Sequence, residues 1–225
     1  MIKAVIFDLD NTLLDFMDMK SKSIDSAVYG MIDAGLNMSV DSAKKEIYRI
    51  YDERGIEHQE VFDEFITNEL GHIDHKILAA GIVSYRKVKE ATLSLYSNVN
   101  STLVELARMG IKLAVVSDAP SREAWIRICS VNLQHIFDTV ITFDDTCKRK
   151  PSPEPFMRAV NELDVKTEEC IMIGDWPERD VLGASKIGMV SVFARYGNTF
   201  GTVDSGADYE IDDISEIIKI VKKLS

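Results

Sequence analysis

The sequence has 225 residues, 46% of them hydrophobic and 28% charged, a composition typical of a folded protein with a substantial core. Its 37 acidic against 26 basic residues give a net charge of -11, which is poorly suited to binding nucleic acid or an anionic membrane. The three cysteines are few, scattered and odd in number, which is typical of reduced thiols, and no apolar run could span a bilayer, so we expect a cytoplasmic protein. The sequence leaves open whether it is a monomer or a homodimer.

The first predicted element is a short buried strand that ends in two acidic residues. In the stretch AVIFDLDNTLLD, residues 4–15, four apolar residues run directly into Asp8, and Asp10 follows two positions later. Two like charges at this range repel each other, so an ordinary turn does not explain why both acidic residues are present. A divalent cation bound beside them would neutralise the repulsion.

Residues 15–92 contain four predicted helices and no convincing strand. Apolar residues recur at the helical period in the first of these helices. Ser39 is a candidate N-cap of the second helix, which Gly55 ends, and Gly71 ends the third. The fourth runs roughly over residues 74–91. We predict that this insert forms a separate helical subdomain.

From residue 93 onward, predicted strands alternate with predicted helices. Further strands are expected over residues 111–116, 139–142, 170–173 and 189–194, with helices before, between and after them. This alternation favours a parallel sheet covered by helices on both faces. We therefore predict a Rossmann-like α/β core formed by residues 1–14 and 93–225, interrupted by the helical insert.

Polar residues follow four of the predicted strands, at the sheet edge where ligands bind in open parallel sheets. They are Asp8, Asp10, Ser117, Asp118, Lys150, Asp175 and Asp180. One acidic residue after one strand is usually a turn residue or a helix cap, but four such strand ends together are not explained in that way. Clustered carboxylates suit Mg²⁺, whereas a lysine and a hydroxyl suit phosphate oxygens, and a carboxylate can also serve as a nucleophile.

Four motifs resemble those of a known family. FDLDNTL, VVSD, KPSPEPF and GDWPERD are similar, in order and spacing, to the motifs of the haloacid dehalogenase (HAD) superfamily of phosphatases. The resemblance covers residues 1–14 and about 93–210, and the insert resembles that superfamily's helical cap of the first type. It implies a Mg²⁺-dependent phosphatase that hydrolyses small phosphorylated metabolites through an aspartyl-phosphate.

The resemblance also implies a role for each acidic residue. Asp8 would be the nucleophile and a ligand of Mg²⁺, and Asp10 the general acid and base, with its backbone carbonyl on the metal. Asp175 would be another metal ligand. Asp180 would lie behind these ligands, near the lysine or the metal-bound water.

The same resemblance implies which residues hold the phosphoryl group. Ser117 and the backbone amide of Asp118 would bind its oxygens, and Lys150 would stabilise charge on the nucleophile and the phosphate. Two residues depart from the family pattern. Asp118 stands where the family commonly has Asn, which leaves the role of its side chain open, and Trp176 either packs under the cap or fills core. The segment 16–19 either lines the substrate entrance or packs cap against core.

Other members of the superfamily use the same nucleophile for other reactions. The 2-haloacid dehalogenases usually lack the residue that matches Asp10, because a departing halide needs no proton, and phosphonatases lack it too. The mutases carry a histidine where this chain has Lys20. These differences favour a phosphatase over a dehalogenase or a phosphonatase. A module that binds a phosphorylated ligand without turnover is the remaining alternative, but such proteins usually lack a catalytic residue, and here all are present.

Overall fold

In the computed structural model, which describes all 225 residues, a six-stranded sheet runs through the chain. The strands are β1 (Ala4–Phe7), β2 (Lys112–Val116), β3 (Thr139–Ile141), β4 (Cys170–Gly174), β5 (Val190–Ala194) and β6 (Tyr209–Ile211). Their order across the sheet is β3-β2-β1-β4-β5-β6, and every neighbouring pair is parallel. The predicted Rossmann-like α/β class is confirmed.

Ten α-helices accompany the sheet. They are α1 (Phe16–Asp33), α2 (Val40–Arg54), α3 (Val61–Leu70), α4 (His75–Thr92), α5 (Val99–Arg108), α6 (Ser121–Ser130), α7 (Phe143–Thr146), α8 (Pro153–Leu163), α9 (Asp180–Lys186) and α10 (Ile217–Leu224). None of them has both the length and the apolar character needed to cross a membrane. The chain divides into two compact units, one made of Met1–Met17 and Ser94–Ser225 and the other of Asp18–Leu93.

The first unit contains the sheet, and its central strands are buried on both faces. Every residue of β1 and β4 is buried. Ala4 and Ile6 belong to one apolar cluster with Phe156 and Val160 of α8, while the intervening Val5 faces the other side. Because helices cover both faces, these strands consist of continuous apolar runs, and the first polar residue marks the strand end.

The second unit consists of helices without strands, as the sequence predicted. Ser39 caps α2, since its Oγ accepts a hydrogen bond from the Ser42 amide at 3.2 Å. Gly71 ends α3 in the left-handed conformation, with φ of 75°. Asp74 then caps α4 by accepting from two backbone amides. Alternating caps and glycine stops therefore fix where each helix begins and ends.

Candidate active site

Three neighbouring strands bring the first site residues to one edge of the sheet. β2, β1 and β4 are adjacent and parallel, and Ser117, Asp8 and Asp175 directly follow them in turn. The Asp8 amide continues the ladder by donating to the Ile173 carbonyl at 2.8 Å. All three side chains are buried. The pairing of β1 with β4 thus brings the first and last motifs together, although they are far apart in sequence.

Three buried carboxylates form a cluster at this edge. Asp8, Asp175 and Asp180 each offer an oxygen, and these oxygens lie within 4.8 Å of one another. The ammonium group of Lys150 lies 2.6 Å from Oδ1 of Asp8 and 2.7 Å from Oδ1 of Asp180. One ammonium therefore faces three carboxylates, so the cluster carries an excess of negative charge when all three are ionised.

The excess charge is what a divalent cation would neutralise. Burial, and then the charges of Asp8 and Asp180, raise the pKa of Asp175. A hard cation would remove this repulsion and keep the carboxylates ionised. The donors are all oxygen, which is the ligand type that Mg²⁺ prefers. The cluster therefore fits a divalent metal ion.

Asp180 is already engaged by neighbouring groups. Its Oδ1 lies against Lys150, and its Oδ2 accepts a hydrogen bond from the Trp176 amide at 3.1 Å. Asp175 instead accepts a single side-chain bond, from the Thr12 hydroxyl at 3.3 Å. Both oxygens of Asp180 therefore have protein partners, whereas Asp8 contacts Lys150 through Oδ1 alone. Asp8 and Asp175 are thus the better candidates for metal ligands, and Asp180 holds Lys150 and the loop.

Two glycines make room for this packing. A Cβ on Gly174 would lie 2.2 Å from the Asp180 carboxyl carbon, so only glycine lets that carboxylate lie under the end of β4. A Cβ on Gly197 would lie 1.7 Å from the Asn11 carbonyl oxygen and 3.0 Å from Cβ of Asp175. Close contact with the Asp180 carboxylate therefore explains why the residue before Asp175 is glycine. Gly197 could not be recognised from the sequence, because its neighbours come from distant segments.

Lys150 is buried with its charge balanced. Burial alone would lower the pKa of Lys150, but the charges of Asp180, Asp8 and Asp118 outweigh that effect and raise it above its usual value. The backbone amide of Lys150 donates to Oδ1 of Asp118 at 2.9 Å. Lys150 therefore stays protonated and presents a fixed positive charge to the carboxylate of Asp8.

The Asp118 side chain joins two loops. Its Oδ1 accepts from the Lys150 amide and its Oδ2 accepts from Nη1 of Arg179, each at 2.9 Å. The Arg179 guanidinium lies 3.7 Å from the ring centroid of Trp176, whose ring is 4.3 Å from that of Phe200. An Asn could not accept two such bonds through two anionic oxygens. Asp118, Arg179 and Trp176 thus form one packed group beside the site.

Ser117 keeps its hydroxyl proton available for a ligand. Its Oγ accepts a hydrogen bond from the Ala119 amide at 3.2 Å. A hydroxyl that accepts in this way can still donate, which suits an anionic oxygen. Its backbone amide is already bonded to the Ile141 carbonyl at 2.9 Å. The hydroxyl is therefore the group of Ser117 that is suited to bind phosphate.

Asp10 contacts an arginine that the sequence analysis missed. Its Oδ2 lies 2.5 Å from Nη1 of Arg127, and the Arg127 guanidinium carbon lies 4.3 Å from the ring centroid of Phe16. Arg127 shares the buried face of α6 with Ala124 and Ile128. A cation on the apolar face of a helix was the available signal, because an arginine is rarely buried without a partner.

Comparisons with known proteins agree with the motifs. The chain matches the model of haloacid dehalogenase-like hydrolases over residues 5–194. It is 34% identical over 225 residues to a glyceraldehyde 3-phosphate phosphatase from Methanocaldococcus jannaschii, covering 100% of this chain and 99% of that protein. A HAD phosphatase from Thermococcus onnurineus shares its structure with a TM-score of 0.72 and 28% identity over 98% of both chains. A putative beta-phosphoglucomutase from Thermotoga maritima, 21% identical, shares the fold with a TM-score of 0.78 over the whole of both chains.

Proposed function

We propose a specific reaction for this chain, which belongs to the haloacid dehalogenase-like hydrolases and is a phosphoric monoester hydrolase. It hydrolyses small phosphorylated metabolites, requires Mg²⁺ and forms an aspartyl-phosphate on Asp8. The observation that carries the proposal is the buried Asp8 carboxylate, held by the Lys150 ammonium at 2.6 Å beside Asp175. A carboxylate so placed has the charge balance of a nucleophile that attacks an anionic phosphate.

In the first step, Asp8 attacks phosphorus and the ester oxygen leaves. The bond from phosphorus to the leaving oxygen breaks as a bond to the Asp8 carboxylate forms, and Asp10 donates a proton to the departing alkoxide. Lys150 stabilises the charge that develops on the phosphoryl oxygens. The Ser117 hydroxyl and the Asp118 amide orient the same group.

In the second step, water attacks the aspartyl-phosphate. Asp10, now ionised, accepts a proton from the water as the new bond to phosphorus forms and the bond to Asp8 breaks. Inorganic phosphate leaves, and both carboxylates return to their starting states. One residue therefore acts as acid and then as base, which explains why two acidic residues follow the same strand.

The metal would be held by the carboxylates of Asp8 and Asp175 and the backbone carbonyl of Asp10. When bound, Mg²⁺ supplies positive charge that lowers the repulsion between the anionic substrate and the acidic cluster. The support is the all-oxygen donor set and the excess negative charge around a single lysine. Asp180 lies behind these metal ligands and holds the Lys150 ammonium in place.

We also propose that residues 15–92 form the cap that selects the substrate. The support is a four-helix insert that begins five residues after Asp10 in the chain. Glyceraldehyde 3-phosphate is the first candidate substrate, because the relative that is 34% identical over its whole length is named for it. Phosphoglycolate is the second, from a relative that is 24% identical.

The test is hydrolysis of a panel of phosphate esters by the whole chain with Mg²⁺ and with excess EDTA. The panel contains glyceraldehyde 3-phosphate, phosphoglycolate, glucose 6-phosphate and p-nitrophenyl phosphate. We expect Mg²⁺-dependent release of phosphate that Asp8→Asn abolishes, since an amide cannot replace the attacking carboxylate. Full turnover in EDTA, or turnover by Asp8→Asn, would contradict the proposal. Binding of an ester with no turnover under any metal would make the chain a ligand-binding module instead.

A further inference from the structure

We propose that Arg127 is a positioning residue for the proposed acid and base, Asp10, and that Phe16 holds the guanidinium in place. This inference rests on the proposed function. The primary contact is the hydrogen bond that Nη1 of Arg127 donates to Oδ2 of Asp10, at 2.5 Å. Oδ2 accepts this bond in both protonation states, so the proton of the acid form is carried on Oδ1. It joins α6 to the turn after β1, two segments that are more than a hundred residues apart.

The burial of the two partners differs in a way that assigns their roles. The Arg127 side chain is 2% exposed, whereas that of Asp10 is 20% exposed. Solvent therefore reaches the side chain of Asp10 but hardly that of Arg127. Burying a guanidinium is costly unless it is paired, and one partner of Arg127 is the carboxylate that must transfer protons. The arginine thus lies behind the acid and acts on the reaction through it.

Phe16 restricts the other side of the guanidinium. The ring centroid of Phe16 lies 4.3 Å from the guanidinium carbon, and the Phe16 side chain is buried. A planar guanidinium stacks on an aromatic face, whereas an ammonium group is a point charge with freer geometry. The ring and the carboxylate together fix Arg127. A fixed bond to one carboxylate oxygen in turn restricts the side-chain torsion of Asp10 and keeps its direction constant.

The chemistry of the two steps predicts a distinctive defect. General acid and base catalysis contributes about 10²- to 10⁴-fold, so a misdirected Asp10 should lower kcat by about 10- to 100-fold without raising KM. Alkyl phosphates need the acid in the first step and should be slow from the first turnover. p-Nitrophenolate leaves without a proton, so p-nitrophenyl phosphate should give a burst followed by slow turnover.

The decisive experiment is a double-mutant cycle between positions 10 and 127. Wild type, Arg127→Ala, Asp10→Asn and the double variant are assayed on p-nitrophenyl phosphate and on the alkyl phosphate of the panel that wild type hydrolyses fastest. We expect Arg127→Ala to have no further effect on kcat once Asp10 is Asn, because the arginine acts through that residue. Additive losses in the double variant would overturn the proposal, as they would indicate a general structural effect.

Companion variants keep the test decisive if Arg127→Ala does not fold. Phe16→Leu keeps the ion pair and removes the ring, and Arg127→Lys keeps the charge and removes the fork. Each should show a smaller kcat defect of the same pattern, with the burst on p-nitrophenyl phosphate. Arg122→Ala is the matched control, since Arg122 is an exposed arginine of the same helix, and its kcat should be unchanged.

Two other outcomes would refute this inference while leaving the proposed function intact. If Arg127→Ala raises KM for phosphoglycolate alone and leaves kcat unchanged, the arginine binds the substrate carboxylate. If kcat is unchanged on every ester, the ion pair does not position the acid. A wild-type chain that hydrolyses nothing in the panel would instead refute the proposed function itself.

Discussion

Replacing Asp118 by the family's usual Asn tests whether this side chain is structural or catalytic. Both of its oxygens accept hydrogen bonds within the protein, one from Arg179 and one from the Lys150 amide. Asp118→Asn removes the charge and turns one acceptor into a donor that faces another donor. A hydrogen bond to a charged group contributes about 1.5–3 kcal/mol. Because the Arg179 side chain is 34% exposed, solvent screening reduces this to about 1 kcal/mol.

A loss of about 1 kcal/mol corresponds to a fall in Tm of about 2–4 °C for a chain of this size, which differential scanning fluorimetry resolves. The kcat should stay within about fivefold of wild type, because in the proposed site the phosphoryl group is bound by the backbone amide of residue 118 and not by its side chain. Arg179→Gln should lower Tm similarly, and the double variant should lose no more than either alone. Arg158→Gln, which breaks an exposed pair on α8, is the control and should change Tm by less than about 1 °C. Loss of activity in Asp118→Asn at unchanged Tm would refute this assignment.

Three further predictions follow from the site and the insert. Gly174→Ala should lower kcat by at least about tenfold, because the new Cβ would displace the Asp180 carboxylate that holds Lys150, and kinetics with a circular dichroism control would show it. Burial and the neighbouring charges raise the pKa of Asp175 in the fold, so without metal this carboxyl group keeps its proton in the folded chain at pH values where it is ionised in the unfolded chain. The Tm of the metal-free chain should fall as pH rises above the usual carboxylate range, and Mg²⁺ or Asp175→Asn should flatten that slope. If residues 15–92 act as the proposed cap, kcat/KM should be higher for small esters, and an equal kcat/KM for a folded phosphoprotein would contradict that role.

The positions of the acidic site residues could be predicted from the sequence because the strands that carry them are buried on both faces. In such strands the apolar run stops where the strand stops, so Asp8 and Asp175 were found at strand ends. The ends of the helices in the insert could also be predicted from the sequence. Ser39 and Gly71 act through bonds to their own neighbours in the chain, and local chemistry of this kind is visible in a sequence.

Features that depend on tertiary contacts were not accessible in this way. β6 was not predicted, because it has three residues, Tyr209–Ile211, and only its last is fully buried, so neither length nor alternation identifies it. The position of Arg127 on the apolar face of α6 indicates that this arginine needs a partner, but α6 alone does not show that the partner is Asp10, which lies in a distant segment. The role of Asp118 depended on Arg179, whose position follows from the loop after β4.

The central claim is that Asp8 becomes phosphorylated and that Asp10 acts as the base for hydrolysis of this aspartyl-phosphate. Asp10→Asn assayed with p-nitrophenyl phosphate tests it most directly. Nitrophenolate needs no proton to leave, so the first step should proceed, while hydrolysis of the aspartyl-phosphate lacks its base. We predict a burst of about one equivalent of nitrophenol per active site, a slow steady state, and an intact mass increased by one phosphoryl group that peptide mapping places on Asp8. Neither burst nor adduct, in a variant that still binds Mg²⁺, would contradict the account.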